Sequence, residues 1–67
     1  MEKFAERLKE LRLEKGLSLK QLEREIKIGV ASLCRWENEK ADVKGSQLIL
    51  IAKYFGVTTD YLLGLED

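Results

Sequence analysis

One cysteine, Cys34, and not a single histidine leave this chain without an internal disulfide or a zinc site to hold it together. The constraint is severe because the chain has only 67 residues. At that size roughly 60% of the unfolded surface is buried, and a core supplies about 3–5 kcal/mol. Apolar packing, alone or with oligomerisation, has to do what staples do elsewhere.

The apolar residues recur at helical spacing. Phe4, Leu8 and Leu11 lie among Glu and Lys, so the pattern predicts a first amphipathic helix over 2–15, ended by Gly16. Ser18 is a good N-cap for a second helix over 18–26, with Leu22 and Ile26 one turn apart on its inner side. Lys27-Ile28-Gly29 interrupts the pattern. A third short helix follows over 29–38, carrying Leu33, Trp36 and Glu37 on one side. Residues 39–45 are polar and read as a loop. Ser46 is placed to cap a fourth helix over 46–55, whose stripe is Leu48, Ile51, Ala52 and Phe55. Gly56 closes it, and Thr58 or Thr59 caps a last helix over 59–63 that stops at Gly64. Nothing alternates with the period of two that a strand requires. The expectation is an all-α fold: one domain over 1–67, a globule of five helices.

Composition narrows the function. The formal net charge is zero: residues 1–17 carry five basic and four acidic groups, 18–45 six and five, and 46–67 one and three. That mild gradient permits a DNA-facing surface in the first two-thirds without arguing for one. The longest apolar run, Leu48 to Ala52, is too short to cross a bilayer, and Met1-Glu2-Lys3-Phe4 lacks the apolar stretch of a signal peptide. Without histidine, a glycine cluster or a partner for Cys34, the chain lacks the parts for acid–base, phosphate-cradling or nucleophilic catalysis. No enzyme, no metal, no cofactor and no small-molecule substrate is expected. A lone thiol fits a reducing cytoplasm.

Residues 18–40 are the informative stretch. Two helices of about nine residues joined by a tight turn have the proportions of a helix-turn-helix, in which the second helix lies in the major groove and the first crosses the backbone. With R-L-K-E-L-R-L-E-K-G-L-S (Arg7 to Ser18), R-W-E-N-E-K (Arg35 to Lys40) and I-A-K-Y-F-G-V-T-T-D-Y-L-L-G (Ile51 to Gly64), almost the whole chain resembles the phage repressor and Cro-like (Xre) family of helix-turn-helix regulators. The resemblance implies a lambda-repressor-like five-helix fold, an intracellular location, and binding of double-stranded operator DNA as a homodimer.

Physical roles follow. Ser18 caps the second helix, whose free N–H groups suit a backbone phosphate, and Lys20 stands in the same turn. If Leu33 and Trp36 face the core, Val30, Ala31, Cys34 and Arg35 face outward. Arg35 is the candidate for a bidentate contact to guanine, and Val30 and Ala31 for contacts to thymine methyls. The family pattern puts Ser32 and Asn38 at phosphates or base edges, and Lys27, Lys40 and Lys44 beside the backbone. The plainer alternative for each lysine, and for Arg35, is an ordinary solvated side chain. Trp36 reads as core and Cys34 as a passive small residue. The resemblance makes Arg12 and Glu37 a partly buried ion pair between the first and third helices, so that Glu37→Ala should destabilise far more than Glu39→Ala. Phe55, Val57, Tyr61 and Leu62 form the expected dimer surface.

The chain departs from the usual family pattern inside the motif. Leu19 stands in place of a phosphate-anchoring glutamine, Glu23 in place of a small residue, Lys27 in place of a turn glycine, and Gly29 in place of a Ser or Thr cap. Glu39 and Asp42 add negative charge beside the expected backbone. A second function therefore stays open: a helix-turn-helix fold kept for protein–protein interaction, with weak or lost DNA binding.

Overall fold

Three of the helices end in the same way, each on a glycine that the chain needs in a left-handed conformation. The computed structural model describes residues 2–38 and 42–66. Gly16, Gly56 and Gly64 have φ of 70°, 69° and 81°. In each case the next amide, that of Leu17, Val57 or Leu65, bonds back to the carbonyl of Arg12, Ala52 or Asp60, which satisfies carbonyls the helix end would otherwise leave bare. At Gly64 the need is also steric, since a Cβ there would lie 2.6 Å from Cβ and Cγ of Lys3.

The elements among the described residues are α1 (Glu2–Glu14), α2 (Leu19–Ile26), α3 (Val30–Glu37), α4 (Gly45–Phe55) and α5 (Thr59–Leu63). The all-α, five-helix expectation holds, with bounds within a residue of those read from the pattern. One cap differs. Ser46 lies inside α4, and Lys44 is the N-cap, extended at φ −71° and ψ 150° and without a side-chain hydrogen bond. Thr58, and not Thr59, caps α5, its Oγ1 accepting from the Tyr61 amide.

Phe4, Leu8, Leu22, Ile26, Ile28, Leu33, Trp36, Ile51, Ala52 and Leu62 close one core, to which every helix contributes. Leu11, Leu48 and Phe55 pack at its edge. The rings of Phe4 and Trp36 meet edge to face at 6.0 Å, so α1 backs α3 directly. α1 packs on α3 and α5, α2 on α3 and α4, and α4 on α5. The C-terminal segment is tied down from α1: the Arg7 guanidinium donates to the carbonyls of Tyr61 and Glu66 and sits 4.2 Å from the centre of the Tyr61 ring. No helix among the described residues is long and apolar enough to cross a membrane.

Candidate nucleic-acid interface

The geometry of the interface starts at the turn between α2 and α3. Ser18 begins α2 with a reciprocal capping box: the Gln21 amide donates to Ser18 Oγ at 3.1 Å, and the Ser18 amide donates to Gln21 Oε1 at 2.7 Å. The cap was legible in the sequence and its partner was missed, although Ser followed by Gln three residues later is the signature of such a box. Lys20 is exposed in the first turn.

α2 ends on Lys27, at φ 62° the one left-handed residue other than glycine among the described positions. Its amide donates to the Glu23 carbonyl at 2.8 Å, the bond a C-terminal glycine would make. A side chain in this conformation costs about 1–2 kcal/mol, against glycine's entropic penalty of roughly 0.5–1 kcal/mol. Lys27→Gly is therefore expected to raise stability by about 0.5–1 kcal/mol. For a domain of this size that is an increase of roughly 2–8 °C in Tm, readable in a thermal melt. An unchanged or lower Tm would mean that the lysine stem contributes packing the strain argument omits.

Leu33 and Trp36 are buried, and the opposite side of α3 is bare. Ala31, Cys34 and Arg35 are exposed, with Val30 and Ser32 half-buried beside them. Among the described residues the Arg35 guanidinium has neither an ion-pair nor a hydrogen-bond partner. Asn38, expected at phosphates or base edges, also has a role within its own helix. It is the C-cap of α3, and its Nδ2 donates to the Cys34 carbonyl at 2.7 Å and to Cys34 Sγ at 3.4 Å. That amide nitrogen closes its own helix, which leaves the side-chain oxygen, an acceptor, for a donor on a base edge and not for a phosphate.

The start of α3 holds a feature the sequence reading missed. Gly29 is the N-cap and offers no side-chain bond. The half-buried Glu23 reaches across from α2, and its Oε2 accepts from the Val30 amide at 3.2 Å. The residue that stands in place of a small one thus joins the two helices. Its seven-residue separation from Val30 is no local capping signature, which is why pattern reading did not find it.

The other end of α3 is fixed by the ion pair. Arg12 Nε donates to Glu37 Oε2 at 2.7 Å, Nη2 to Oε1 at 3.0 Å, and Nη1 to the Leu17 carbonyl at 2.7 Å. The side chains are 10% and 6% exposed. The hydrogen bond to Glu37 raises the Arg12 pKa above its ordinary value, with burial acting the other way. One guanidinium thus binds α1, the α1–α2 turn and α3.

Of the flanking lysines, Lys27 and Lys44 are exposed, while Lys40 lies outside the described residues, as does Glu39. The expected dimer surface needs one correction. Leu62 is 0% exposed, consumed by the domain's own core, and has nothing to offer a second copy. Phe55, Val57 and Tyr61 are half-buried on the surface around it. Exposed apolar side chains stand elsewhere, at Leu13, Ile49, Leu50 and Leu65.

Comparison with known proteins agrees with this geometry. The helix-turn-helix family pattern matches residues 8–62. Over 96% of its length the chain is 34% identical to the HTH-type transcriptional activator BcrR of Enterococcus faecalis, of which it covers 31%. Over the same share it is 33% identical to the HTH-type transcriptional regulator YobD of Bacillus subtilis, covering 57% of that protein. It is also 32% identical to the regulator ImmR of Bacillus subtilis, covering 50%. The chain thus spans about a third to just over half the length of these relatives. Its two packed helices α2 and α3, the capped turn between them and the matched residues 8–62 make it a member of the helix-turn-helix family of the phage repressor and Cro-like (Xre) type.

Proposed function

We propose that this domain binds double-stranded DNA sequence-specifically as part of a cytoplasmic transcription regulator, with α3 lying in the major groove. The observation that carries the reading is the position of Arg35, exposed on the outward side of the last turn of a helix whose other side is locked in the core. An eight-residue helix is about 12 Å long, close to the width of the groove it would enter. Ser18 at the start of α2, with Lys20, Lys27 and Lys44, would hold the phosphates, and Ala31, Val30 and Ser32 would lie along the bases. The printed names of the relatives, all transcriptional regulators, support the same activity. One domain reads a half-site, so two copies, meeting around Phe55, Val57 and Tyr61, would read an inverted repeat.

Selection of bound duplexes from a random pool tests both parts, and an inverted repeat is the expected product. Binding should weaken with salt at a log–log slope of about −3 per domain if three lysines neutralise phosphates. A second reading, a protein-interaction module, is favoured by the zero net charge and by exposed Ile49 and Leu50. No measurable affinity for any duplex at low salt would decide for it.

A further inference from the structure

The proposed groove-reading helix begins on a carboxylate. Three amides at the start of α3 have no partner within the helix, and Gly29 supplies no side-chain acceptor. Glu23 Oε2 takes the first of them, the Val30 amide, at 3.2 Å. A negative charge at this end is favourable to the helix dipole, so the contact stabilises α3 and pins its start to α2. The same amides and the same dipole end are what would otherwise attract a phosphate.

We infer that Glu23 is a positioning and specificity-determining residue: its carboxylate, seated on the first amide of α3, sets where the reading helix starts and keeps DNA phosphate off that end. Binding at a wrong register brings phosphate toward the carboxylate and is penalised, whereas a matching site keeps the start of α3 over base edges. Repulsion of wrong partners is a source of specificity distinct from attraction to the right one. The inference rests on the DNA-binding reading above and adds to it a residue whose main effect is on non-specific binding.

Three variants test it. Glu23→Gln keeps an oxygen for the Val30 amide and removes the charge. Glu23→Ala removes both, and is expected to lower Tm by about 4–8 °C as other lost caps do. Gly29→Ser combined with Glu23→Ala supplies a cap from the usual position. Gly29 has φ −59° and ψ 146°, and an added Cβ would meet nothing closer than Glu23 Oε2 at 3.9 Å, so a serine fits and should restore Tm. Affinities are measured by fluorescence anisotropy on random-sequence and selected duplexes.

Glu23→Gln and the double variant should bind random duplex roughly 2- to 6-fold more tightly than wild type, the worth of one unit charge 4–8 Å away in water. Their preference for the selected site should fall by the same factor. A merely structural role would instead weaken binding to both duplexes. If wild type binds DNA and both variants bind random duplex no more tightly, the inference on Glu23 fails while the DNA-binding reading stands. If wild type binds no duplex, the inference on Glu23 falls with the DNA-binding reading, even where Glu23→Gln binds. If neither wild type nor any variant binds, both readings fall together.

Discussion

Glu37→Ala is expected to leave the domain largely unfolded at room temperature. Its two carboxylate oxygens accept from Arg12 at 2.7 and 3.0 Å, in a setting where the side chains are 6% and 10% exposed. Alanine would leave a guanidinium out of water with only the Leu17 carbonyl to satisfy it. Removing one member of a buried pair costs roughly 3–5 kcal/mol, which matches the whole stability of a core this size. Glu10→Ala is the control, since Glu10 is exposed on α1 and its loss should stay within about 0.5 kcal/mol. Circular-dichroism melts of the two variants measure the difference. The pair is not itself a large source of net stability: replacing Arg12 and Glu37 together with apolar residues of similar volume should recover most of the loss. Near-identical melting of Glu37→Ala and Glu10→Ala would show that the pair is dispensable.

For Arg35→Ala the expected loss is in recognition and not in folding. The side chain is exposed and, among the described residues, unpaired, so Tm should move by less than the equivalent of about 0.5 kcal/mol. Affinity for the selected site should fall by about 1–3 kcal/mol, or roughly 5- to 150-fold, the worth of a bidentate contact to guanine. Random duplex should lose far less, because there the arginine acts only as one charge among several. Arg35→Lys should not restore discrimination, since an ammonium cannot make the planar fork. The test is a pair of titrations per variant, on selected and random DNA. Equal losses on both would reduce Arg35 to a phosphate contact and move base reading to another residue.

Much of the fold was readable because it depends on neighbours in the chain. Helix spacing, the Ser18 cap, a threonine cap at Thr58 or Thr59 and the terminating glycines are local signals, acting over one turn of backbone. The inward turn of Leu33 and Trp36, and with it the exposure of Arg35, followed from the same spacing. Ser46 was misread for a local reason as well: a serine near a helix start is a common cap, yet the extended backbone at Lys44 lets α4 begin one residue before it.

The site was less legible. Asn38 sits at the helix end where an extended side chain reaches outward or folds back on the last carbonyls, and composition does not choose between them. Leu62 belongs to an amphipathic turn so short that its inner and outer residues look alike until α5 is packed against α1. Lys27 was legible as the residue in place of the family's turn glycine, and that place demands a left-handed residue whichever side chain stands there.

Helix positions, the Ser18 cap and the side of α3 left to solvent came from the order of residues, since each is decided by contacts within a few positions along the chain. The approach of Glu23 to the start of α3, the closing of Asn38 on its own helix and the withdrawal of Leu62 into the core came from packing. Those outcomes depend on the distance and angle between helices, and no run of adjacent residues encodes that geometry.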